Sequence, residues 1–152
     1  MDITQQLETG ALIAHLISRY HEVHRQQFPE AVRLARRVEA VHAEHPAVPV
    51  GLSQHLLFMF DDLELHQQQE ELMLFPMMGR GVVPPGPIAC MEEEHDDVVV
   101  QLETLARLTT DFTPPEGACG SWRTLYALCR EIDTDLREHV TLENDVLFRR
   151  FS

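Results

Sequence analysis

Two stretches of this chain repeat one pattern. LELHQQQEELMLF at 63–75 and LREHVTLENDVLF at 136–148 align on their histidines: Leu63 matches Leu136, His66 matches His139 and Glu70 matches Glu143, while Leu74-Phe75 match Leu147-Phe148. Residues four apart on a helix are neighbours on one face, so each HxxxE sets an imidazole and a carboxylate one turn apart. Imidazole suits iron, copper and zinc, and a carboxylate can bridge two hard cations. The repeat therefore asks for two helices whose His/Glu faces meet.

Turn signals elsewhere supply the rest of the architecture. HPAVPVG at 45–51, GRGVVPPGP at 79–87 and FTPPEG at 112–117 cut the sequence into four long segments rich in Leu, Glu, Arg, Gln and Ala. Four helices joined by short connections predict an all-α, antiparallel up-down-up-down four-helix bundle, with residues 1–152 forming one domain. Each segment carries a seam of three- and four-residue steps. The first is Ile17, His21, His24, Phe28, Ala31, Ala35, Val38, His42, with Pro29 inside it expected to kink or interrupt the helix. The second is Met59, Leu63, His66, Glu70, Met73, Met77 and the third Ile88, Met91, His95, Val98, Leu102, Leu105. The fourth is Trp122, Leu125, Cys129, Ile132, Leu136, His139, Glu143, Val146. Trp122 and the aliphatic residues are read as plain core.

The seams turn polar near one level. Burying an unpaired polar side chain costs roughly 2–7 kcal/mol, against a net stability of about 5–15 kcal/mol for a domain. Six such residues must either satisfy one another in a hydrogen-bonded network or share metal ions. The two HxxxE helices offer two His and two Glu, and His21 and His95 add one imidazole from each remaining helix. The set His21, His66, Glu70, His95, His139 and Glu143 is thus a candidate two-metal site, and the same ligands would accept manganese. His24, beside the seam, is a candidate to orient a ligand. His42 lies 21 positions beyond His21, about 31 Å along a straight helix, so it could be a seventh ligand only if the segment bent back near Pro29. His15, His45 and His55 are read as surface or loop residues.

Composition excludes several other classes. The net charge is −13 with histidine neutral, and Arg33, Arg36 and Arg37 are interleaved with acids, which argues against nucleic acid as a partner. No apolar run is long enough to suggest a membrane span, and MDITQQLETG lacks the pattern of a secretory signal. Cys90, Cys119 and Cys129 form neither a CxxC pair nor an even set, which fits a reducing compartment. A cytoplasmic protein is the expectation.

Several longer motifs point to one family. RYHEVHRQQFPE, RRVEAVHAEHPAVP, EELMLFPMM, MEEEHD, TPPEGAC and HVTLENDVLF resemble the RIC proteins (repair of iron centres), di-iron members of the hemerythrin-like group, from about residue 8 to residue 149. The resemblance implies a hemerythrin-like bundle and two non-haem iron ions, oxo-bridged when oxidised, on the same six residues. It also implies a role in protecting or restoring iron–sulfur clusters after nitric oxide or peroxide damage, by iron donation or nitric oxide chemistry. Partners would then be NO and O2, damaged iron–sulfur proteins and an electron donor. Two departures stand out. Typical members carry an additional N-terminal domain with an adjacent cysteine pair, for which this chain has no room. The LFP that follows HxxxE in Leu74-Phe75-Pro76 is replaced by Leu147-Phe148-Arg149 in the second copy.

Three functions are therefore expected, in order of preference. The first is an iron-centre repair or nitric-oxide-responsive protein, with Glu94 and Asp62 as candidate proton carriers. The second is a reversible oxygen binder or O2/NO sensor; oxygen carriers of this group use five histidines and two carboxylates. The third is an iron store or a metal-free interaction bundle.

Overall fold

The computed structural model of the protein describes residues 3–152, and these are mostly helical with no strand among them. They form four long rods. The first joins α1 (Thr9–Leu16) to α2 (Glu22–Val41) through a π-turn at Ile17–His21; the second joins α3 (Leu52–Gln69) to the short α4 (Phe75–Gly79) through a π-turn at Glu70–Leu74. The third is α5 (Pro85–Leu108). The fourth is α6 (Gly120–Leu142), continued by a π-turn at Glu143–Leu147 and a 3-10 turn at Phe148–Phe151.

Packing between rods follows the polar and apolar seams. α2 lies against both α3 and α6, α3 against α5, and α5 against α6. Arg25 reaches Glu64 and His21 reaches Glu71, while His66 meets Glu94 and Asp62 meets Gln101. On the α2–α6 side, His24 meets His139 and His42 meets Cys119. In each of these three pairings the higher number on one rod meets the lower number on the other.

Pro29 does not interrupt the first rod. It sits inside a continuous α2 on the exposed side, where the carbonyl that loses its N–H partner can be hydrated. α3 starts with a cap borrowed from α2: the Glu39 carboxylate accepts from the Gly51 N–H at 2.9 Å and the Ser53 N–H at 3.1 Å. Gly51 has φ 90°, which a side chain would resist.

The core divides into two apolar clusters. One gathers Phe28, Leu56, Met59, Leu102, Trp122 and Leu136, the other Leu12, Leu16, Leu74, Phe75, Ile88 and Phe148. In every rod the members of the set His21, His66, Glu70, His95, His139 and Glu143 fall between the two, so a polar layer is sealed by hydrocarbon on either side. The π-turns correct three seam expectations. Met73 is exposed and Met77 half-buried while Leu74 and Met78 are buried; Val146 is half-buried while Leu147 and Phe148 are buried; and Ile17 is half-buried while Leu16 is buried. A π-turn closes i→i+5, inserting one residue and moving the buried stripe by one position.

Candidate metal centre

The polar layer brings six side chains to one place. His21 leaves its rod at the end of a π-turn, and Glu70 and Glu143 stand at the starts of the other two. His66 and His139 precede their glutamates by one turn, and His95 comes from the middle of α5. All six are at most 3 % exposed.

Their donor atoms sort into two overlapping groups. His21, His139, Glu70 and Glu143 offer atoms all within 4.8 Å of one another, and so do His66, His95, Glu70 and Glu143. Each carboxylate is divided between the groups. Glu70 Oε1 lies 3.2 Å from His21 Nε2, and Oε2 lies 3.3 Å from His66 Nε2. Glu143 Oε2 lies 2.8 Å from His139 Nε2 and 3.5 Å from His21 Nε2, while Oε1 lies 2.9 Å from His95 Nε2. Most of these atoms lack a well-formed hydrogen bond: His21, His66 and His95 Nε2, both Glu70 oxygens and Glu143 Oε1 are buried and orphaned. Orphaned buried donors and acceptors are costly. A hard or borderline dication between them would satisfy the whole set.

The other ring nitrogen of each histidine is held. His21 Nδ1 meets Glu71 Oε2 at 2.6 Å, and Glu71 is in turn gripped by Arg25, which also forks onto Glu64. His66 Nδ1 meets Glu94 Oε1 at 3.1 Å and His95 Nδ1 meets Asn144 Oδ1 at 2.7 Å. His139 Nδ1 meets His24 Nε2 at 3.1 Å. Partners of this kind fix ring orientation and present Nε2 to a metal. Glu71 and Asn144 each follow a carboxylate of the HxxxE repeat, so the repeat extends one residue further than its ligands. That was the available signal for these two partners; Gln27 and Asp135, which continue the chain beyond His24, had none.

Burial and neighbouring charges move the groups of the layer away from their ordinary pKa values. Burial and the neighbouring Glu143 charge push the Glu70 carboxyl well up from its usual range. Burial works in the same direction on Glu143, but His139, His21 and His95 hold it well down. Burial lowers His139 to about 4, His24 to about 3, and His66 as well. At His95 burial is outweighed by Glu143, and the pKa rises.

Not every singled-out residue reaches the layer. His42 stands at the end of α2, with Nε2 3.3 Å from Cys119 Sγ and its ring against Trp122. Asp62 is exposed and accepts from Gln101 at 3.0 Å. His55 bonds the Gln101 carbonyl and His45 packs on Trp122.

Comparison with known proteins agrees in direction. The hemerythrin HHE cation-binding domain family matches residues 12–151. The iron-sulfur cluster repair protein YtfE of Dickeya chrysanthemi is 48% identical over 148 residues, covering 96% of this chain and 67% of that protein. The protein of the same name from Yersinia pseudotuberculosis serotype IB is 49% identical over 148 residues, with the same coverage of each chain.

Proposed function

From the premise that the chain belongs to the hemerythrin HHE cation-binding family, and within it to the iron–sulfur cluster repair proteins, we propose that it is a di-iron protein serving iron–sulfur cluster repair. His21 and His139 would hold one iron, His66 and His95 the other, with Glu70 and Glu143 bridging. The observation that carries this reading is the division of each glutamate: its two oxygens face different histidine pairs. The rods would alternate in direction as an up-down-up-down bundle forming one domain, in keeping with the falling pairings between neighbours.

When bound, the iron pair would supply one-electron chemistry and open positions for nitric oxide or oxygen. The chain's residues do the rest. Glu71, Glu94, Asn144 and His24 orient the four imidazoles, and the two apolar clusters keep water from the layer. Glu94 is the proton carrier of choice, because it touches His66 Nδ1 while its side chain stays 34% exposed. Asp62 touches none of the six. Four imidazoles, not five, converge among the described residues, which favours repair chemistry over oxygen carriage. Damaged iron–sulfur proteins, NO and an electron donor would be the partners, in the cytoplasm. No helix of the described residues is long and apolar enough to cross a membrane.

The test is repair itself. Iron-loaded protein is mixed anaerobically with a nitric-oxide-damaged [4Fe–4S] dehydratase, thiol and a reductant. Recovery of dehydratase activity beyond that given by the same amount of free iron is expected, and Glu143→Ala should abolish it. Recovery no better than free iron would overturn the repair reading.

A further inference from the structure

His139 is unlike the other three imidazoles: its Nδ1 meets a neutral histidine where they meet oxygen. Behind His24 the polar chain continues. His24 Nδ1 lies 3.1 Å from Gln27 Oε1, and Gln27 Nε2 donates to Asp135 Oδ2 at 2.8 Å. Arg19 Nη2 donates to Asp135 Oδ1 at 3.1 Å. We propose that Asp135, held by Arg19, sets the direction of this chain of hydrogen bonds, so that His24 turns a bare nitrogen toward His139 and leaves His139 Nε2 free for a metal ion. The inference rests on the metal-pair reading above.

Direction is the point at issue. A neutral imidazole has one donor and one acceptor nitrogen, and an amide has a donor and an acceptor end, so a string of them can run either way. Only an end that cannot be reversed decides. Two carboxylates end this string: Asp135, which accepts from a guanidinium and an amide N–H, and Glu143, whose Oε2 lies 2.8 Å from His139 Nε2 and draws the hydrogen the other way. At His24 it is Asp135 that sets the sense. Gln27 must therefore turn its oxygen to His24. His24 Nδ1 must carry the hydrogen, which leaves His24 Nε2 bare. His24 Nε2 then accepts from His139 Nδ1–H, the tautomer a metal at Nε2 requires. Gln27, His24 and Asp135 are all less than a tenth exposed, so water is a poor substitute for any link. The His24 and His139 rings have centroids 5.2 Å apart and planes 20° apart, close to the coplanar arrangement that an N–H···N bond needs.

A nearly isosteric change should run the string backwards. Arg19 offers only donors, so in Asp135→Asn the new amide turns its oxygen to Arg19 and its NH2 to Gln27. Gln27 flips, its NH2 faces His24 Nδ1, and the His24 hydrogen moves to Nε2. It then confronts the hydrogen that a metal-bound His139 must carry on Nδ1. Adding Gln27→Glu restores the original sense, since the new carboxylate accepts from both the amide at 135 and His24 Nδ1.

Two readouts test this. Long-range 15N–1H correlations of the histidine rings in metal-free protein should show His24 protonated at Nδ1 in the wild type. They should show it at Nε2 in Asp135→Asn, and back at Nδ1 in Asp135→Asn with Gln27→Glu. Anaerobic Fe(II) titration should show one of two sites weakened about tenfold to a hundredfold in Asp135→Asn, and regained in the double variant, with far-ultraviolet circular dichroism unchanged in all three. An unaltered His24 tautomer in Asp135→Asn, or two unaltered Fe(II) sites, would overturn the proposal. A wild type that binds no second Fe(II) would overturn the metal-pair reading instead, and the His24 tautomer would still judge the chain of hydrogen bonds.

Discussion

At the scale of single residues, identity matters less than which atom faces which. His42 carries the same side chain as His21 on the same stripe, yet it ends beside Cys119 and Trp122. His42→Ala is accordingly expected to leave metal content per chain unchanged, as measured by elemental analysis, whereas His21→Ala should lose metal. The six inward residues were legible in the sequence because a polar side chain on an apolar seam is tolerated only when it is paired or ligated. Of what holds their outer nitrogens, His24 was singled out beside the seam and Glu94 as a proton carrier, and the rest was not. Glu71 and Asn144 look like solvated residues until the structure shows them reaching across to another rod, and Asp135 acts through two intervening side chains. Contacts between rods leave no mark in a periodicity measured along one rod.

At the scale of elements, the π-turns are what a heptad pattern cannot register. Each inserts one residue next to a seam His or Glu. A heptad stripe therefore runs on to Met73 and Val146, one step off, and the repeat's own Leu74-Phe75 and Leu147-Phe148 are the better guides to the core. Caps are a second element-scale device. Glu39 alone satisfies two amide groups at the start of α3, so Glu39→Ala should cost about 0.5–2 kcal/mol in urea unfolding of the metal-free protein. Glu39→Gln should recover part of that loss, because an amide oxygen still accepts.

For the molecule as a whole, the polar layer makes stability depend on protons and metal. His24 and His139 fall from 6.5 to about 3 and about 4, and His66 falls too. Between those values and 6.5 the unfolded chain binds protons that the folded chain does not, so stability is lost as pH falls. Glu70 acts with the opposite sign above 4.5, since its folded carboxyl keeps a proton that the unfolded one releases. His95, whose pKa is raised, acts in the same sense as Glu70 near and above 6.5, and the three lowered histidines outweigh the pair below it. Metal-free protein should therefore lose stability from about pH 6.5 down to about 4.5, by up to about 1.4 kcal/mol per pH unit for each uncompensated histidine. Urea midpoints across that range would show it, and a flat profile would refute it. Metal binding should tighten as pH rises, because Glu70 must release its proton to bind. Free Fe(II) at about 100 times its dissociation constant should add about 2.7 kcal/mol, removable with a chelator.

The central claim is that one chain holds two iron ions between the same two carboxylates. Its most direct measurement is iron per chain after anaerobic reconstitution and removal of free metal, on protein without a histidine tag, together with the near-ultraviolet spectrum after oxidation. Close to two irons per wild-type chain, with charge-transfer bands that vanish and iron that falls below one in Glu143→Ala, is the predicted result. Iron well below one in the wild type, or two irons retained without Glu143, would contradict it.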